Sequence, residues 1–102
     1  MKEIKTLISE NIEFTKSCIG FNEKSMNEEI GNLTDLTKVE SVITIWQTTT
    51  IRTISSAIDE CRGALWFAWY NDMITEDERK KFSLLLTEKY MELVAECYRR
   101  IS

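Results

Sequence analysis

The sequence contains no proline and no histidine, only three glycines, and no large segment in which Lys and Arg outnumber the acids. Each absence excludes something. Without Pro, and with few Gly, there is little to interrupt a helix once it has begun. Without His, the commonest general base, the usual catalytic dyads and triads and most catalytic zinc sites are gone. Only carboxylate, Lys, Tyr or Cys chemistry remains, so an enzyme is not expected. The charge is −4, divided as −3 over residues 1–40, −1 over 41–72 and zero over 73–102. Nucleic acids and anionic membranes both require a clustered basic surface, so neither is an expected partner.

Long apolar runs are missing too. The longest is Ala64-Leu65-Trp66-Phe67-Ala68-Trp69-Tyr70, about a third of a membrane span. No apolar run follows Met1-Lys2-Glu3-Ile4-Lys5, so a secretory signal is not expected and a cytoplasmic setting is. Cys18, Cys61 and Cys97 are odd in number and lack C-x-x-C spacing. They read as reduced, buried side chains. No P-loop, dinucleotide fingerprint, EF-hand or hydrolase elbow occurs, so no cofactor and no metal is expected.

What is there is a chain of 102 residues and 12.0 kDa, 43% hydrophobic, enough for one domain over 1–102 with its own core. Apolar residues recur at three- and four-residue steps, which predicts an all-α bundle. Three capping boxes, Ser25-x-x-Glu28, Thr37-x-x-Glu40 and Thr75-x-x-Glu78, mark candidate helix starts. The first helix is placed at about 2–19, ending on Gly20, and a short second one at about 26–33. A long third helix at about 38–71 and a fourth at about 76–100 form an antiparallel hairpin, whose facing residues have numbers summing to about 148. Within the third, residues 42–54 are so rich in Val, Ile and Thr that propensity alone favours strand. The unbroken helical period on both sides, and the lack of a second strand to pair with, favour helix.

The last helix is the informative one. Phe82, Leu85, Leu86, Tyr90, Leu93 and Cys97 make its core face, while Leu84, Met91, Ala95 and Tyr98 make a second apolar strip roughly opposite. Such a rod needs two neighbours. The second is expected to be another copy in a homodimer, the alternative being a monomeric bundle with this helix between the first and third. Between the faces runs a candidate acidic ridge for a basic partner surface, Glu88, Glu92 and Glu96. Arg52 and Arg62 share the long helix with Trp66, Trp69 and Tyr70, a combination suited to a planar anion. Gly63, alone in a helical pattern, suggests a close helix approach.

These features point to a small interaction protein of bacterial or phage type, an inhibitor or adaptor of a larger protein target. A block on a nucleic-acid enzyme is one version. The alternative is a dimeric module sequestering a nucleotide through the Arg and aromatic set.

Overall fold

The computed structural model describes residues 3–102; the expected helix start at Lys2 lies outside them. Three long helices follow one another: α1 (Ile4–Gly31), α2 (Val39–Tyr70) and α3 (Glu76–Arg100), with a single 3-10 turn, Leu36–Lys38, ahead of α2. No strand occurs among the described residues, and 42–54 is helix throughout. Tertiary packing overrides local propensity there, because helical spacing is what delivers Val42, Thr50 and Ile54 to the core.

The separate helix expected at 26–33 does not exist: α1 runs unbroken through Gly20 and the polar stretch 22–25. Those residues read as a junction because they are polar, but two of their side chains have tertiary partners. Asn22 Nδ2 donates to Thr50 Oγ1 at 2.8 Å, and Glu23 receives the Arg100 guanidinium at 3.0 Å. Met26 then fills the core one turn on. Gly20 is helical, and a Cβ added there would stand 3.4 Å from Arg100 Nη2.

Of the three capping boxes only Thr75-x-x-Glu78 forms. Thr75 Oγ1 accepts from Glu78 N and Glu78 Oε1 accepts from Thr75 N. Ser25 lies inside α1. The Thr37 hydroxyl donates to Asp35 Oδ1 at 2.6 Å, and the same oxygen accepts from Thr37 N, so Asp35 caps the 3-10 turn instead. These two bonds hold the Asp35 carboxyl below its ordinary range.

The hairpin of α2 and α3 is the expected one. Arg62 donates to Thr87 and Gln47 donates to the Ile101 carbonyl, both within one residue of the expected register. Its turn is a Schellman motif: Met73 N bonds Ala68 O, Asp72 N bonds Trp69 O, and Asp72 takes the left-handed conformation at φ 56°. α1 lies antiparallel to α2 and also touches α3, with Trp46 Nε1 donating to Glu29 and Asn22 meeting Thr50. The core runs along the axis through Ile8, Ile12, Ile19, Met26, Ile54, Ile58, Leu65, Leu86 and Leu93. Cys61 and Cys97 are buried in it as free thiols. Gly63 is not a close-approach point, since among the described residues nothing beyond its own helical turn comes within 4 Å of a Cβ built on it.

Candidate functional site

α3 has two neighbours within the chain, but the second does not lie on the expected strip. α1 meets α3 along Lys89, Leu93, Glu96 and Arg100, where Ile12 and Lys16 line the same cleft. The Leu84, Met91, Ala95, Tyr98 strip is left bare. Leu84 is 62% exposed, Met91 64% and Tyr98 52%, and Ala95 between them is exposed as well. Seven-residue spacing places the three large side chains on one line along α3, about 21 Å from end to end.

The acidic ridge is largely neutralised. Glu92 pairs with Lys89, and Glu96 with both Arg99 and Arg100, because three- and four-residue spacing on one helix puts these cations beside the carboxylates. The Arg99 hydrogen bond, and behind it the Arg99 and Arg100 charges, hold the Glu96 carboxyl below its ordinary value. Among the described residues Glu88 alone on this ridge makes no such ion pair.

The Arg and aromatic set is only partly gathered. Trp66 and Trp69 pack edge to face at 5.2 Å, and Trp69 meets Tyr70 likewise at 6.0 Å. The cation above them belongs to Arg79, whose guanidinium carbon lies 5.5 Å from Trp66 and 5.1 Å from Trp69. Arg62 is turned to Thr87, and Arg52 stands about 15 Å further along α2 on its exposed side. Arg79 is itself tied to Glu76. A planar anion would therefore compete with Glu76 for one guanidinium and find the other two elsewhere. The sequence held a signal for Arg79, four residues past the capping threonine on the turn of α3 that faces the end of α2.

Sequence reading missed a cleft of about 670 Å³ at the same end of the bundle. Ile4 and Leu7 of α1, Ala64, Phe67 and Ala68 of α2, Met73 and Ile74 of the link, and Phe82 of α3 line it, with Glu3, Lys5 and Glu78 as its polar groups. It also missed the exposed Phe14 and Phe21, one heptad apart on α1.

Cys61 and Cys97 are buried, and burial pushes both thiols up from their ordinary range. Among the described residues no His, Cys, Asp and Glu group could hold a metal ion, and no helix is long and apolar enough to cross a membrane. No family model, no curated protein and no solved structure matches this chain.

Proposed function

We propose that this chain is a small interaction protein that works by association rather than turnover. It pairs with a second copy through α3 and, as an inhibitor or adaptor of bacterial or phage type, occupies a larger protein target in the cytoplasm. One observation carries the reading: three large apolar side chains, Leu84, Met91 and Tyr98, lie in line on α3 and are more than half exposed although α1 and α2 are both packed. A contiguous apolar strip of this kind marks an interaction surface on a soluble domain. A standard interface removes about 800 Å² per partner, roughly 60% of it apolar, and needs a central line of large side chains.

A two-fold axis at Met91 would lay Leu84 of each copy against Tyr98 of the other, so the strip is self-complementary in an antiparallel sense. Light scattering tests this. The mass should be twice 12.0 kDa, and Met91→Glu should halve it without loss of helical circular dichroism. A single-chain mass for the unaltered protein at high concentration would overturn the pairing.

A further inference from the structure

The cleft at the end of the bundle stands apart from the α3 strip and has a chemistry of its own. Three elements and the 71–75 link build it: the first turn of α1, the last two turns of α2 and the start of α3. Ile4, Leu7, Phe67, Met73, Ile74 and Phe82 supply an apolar wall, and its size lies within the range of small-molecule sites between helices. Among the described residues its charged groups are two carboxylates (Glu3 and Glu78) and one ammonium (Lys5).

The backbone and hydroxyl of Thr75 hold the Glu78 carboxyl below the ordinary range. Its bond to Thr75 N uses Oε1 alone. An anionic head group would ordinarily favour the positive end of α3, but that end already carries Glu76, Asp77 and Glu78 and the Thr75 cap.

We propose that this cleft binds an amphipathic organic cation, with its apolar chain against Leu7, Phe67 and Phe82 and its ammonium head at the Glu3 and Glu78 rim. The chain supplies affinity through burial and the carboxylates supply the preference for positive charge. Titration calorimetry with hexyl-, octyl- and decyltrimethylammonium, each below its micelle concentration, is the test. Kd should fall about threefold to fourfold per added methylene, as burial of a CH₂ implies. Decanol should bind more weakly than the decyl cation, and decanoate more weakly still.

Ala64→Phe places a ring in the cleft and should abolish binding while circular dichroism stays unchanged; Met73→Lys, in the exposed link, does the same by charge if that variant fails to fold. The double substitution Glu3→Gln and Glu78→Gln should erase the advantage of the cation over decanol, because an amide in place of the second carboxylate keeps the reach-back bond of the capping box and loses only the charge. Affinity independent of chain length, decanoate binding as tightly as the cation, or undiminished binding in the filled cleft would each overturn the proposal.

Discussion

Thr50 is a polar residue with no solvent exposure at all, in the middle of the longest helix. It is tolerated because both capacities of its hydroxyl are used: Oγ1 donates to the Trp46 carbonyl at 2.7 Å and accepts from Asn22 Nδ2 at 2.8 Å. Thr15 is buried in the same way, its hydroxyl donating to the Asn11 carbonyl, and no buried side-chain nitrogen or oxygen lacks a partner among the described residues. The Asn22–Thr50 bond is a direct side-chain link between α1 and α2 in this layer, so it fixes where one helix stands along the other. Thr50→Val keeps the shape and removes the acceptor, leaving a half-buried amide unsatisfied. Urea denaturation should show a loss of about 1–2 kcal/mol. Adding Asn22→Leu should restore most of it, because removing both partners leaves no orphan; a double variant no more stable than the single one would refute that account. Helical spacing puts Thr15 and Thr50 in phase with the apolar stripes of their helices, but the bond from Asn22 was not legible in the sequence, where Asn22 reads as a loop residue. A polar residue announces a loop only when no partner awaits it in the fold.

At the scale of elements, the hairpin and its register were legible because they depend on local rules: a capping box at Thr75, a short link, and an apolar period that continues on both sides of it. The length of α1 was not, because it depends on Thr50 and Arg100, which lie far away in sequence. Gly63 shows the same limit from the other direction. A lone glycine inside a helix suggests that another backbone comes close, yet the space around it is open and its φ is negative. It therefore contributes only the entropy cost of glycine in a helix interior. Gly63→Ala should stabilise the chain by about 0.5–1 kcal/mol, a rise of several degrees in the thermal midpoint. Differential scanning calorimetry checks this, and a lower midpoint would mean that the open space is occupied by something in solution.

At the scale of the whole molecule, the chain measures 57 × 21 × 16 Å with a radius of gyration of 16.7 Å, whereas about 13 Å is usual for a compact domain of about this length. The elongation follows from the helix lengths, and it leaves the helices unequal. α3 ends level with Glu23, where Arg100 reaches α1, so the end of α1 and the beginning of α2 extend past it as a two-helix layer. Ile101 closes that step. It follows the last turn of α3, is fully buried, and its carbonyl accepts from Gln47 Nε2 at 2.7 Å. Ile101 continues the four-residue steps of Leu93 and Cys97, but the helix is expected to end at residue 100, and the burial of a residue past that end depends on how far two other helices project.

Ile101→Ala should therefore cost about 2–4 kcal/mol, as for a core residue, although it lies outside every helix. At dilute concentration Leu84→Ala, in the middle of a regular helix, should cost less than about 0.5 kcal/mol, because its side chain is 62% exposed. Chemical denaturation of the two variants measures the contrast directly. An Ile101→Ala variant as stable as the Leu84→Ala variant would mean that the step at the end of α3 is not sealed by the residue that follows its last turn, and that the α1 and α2 overhang is held together without it.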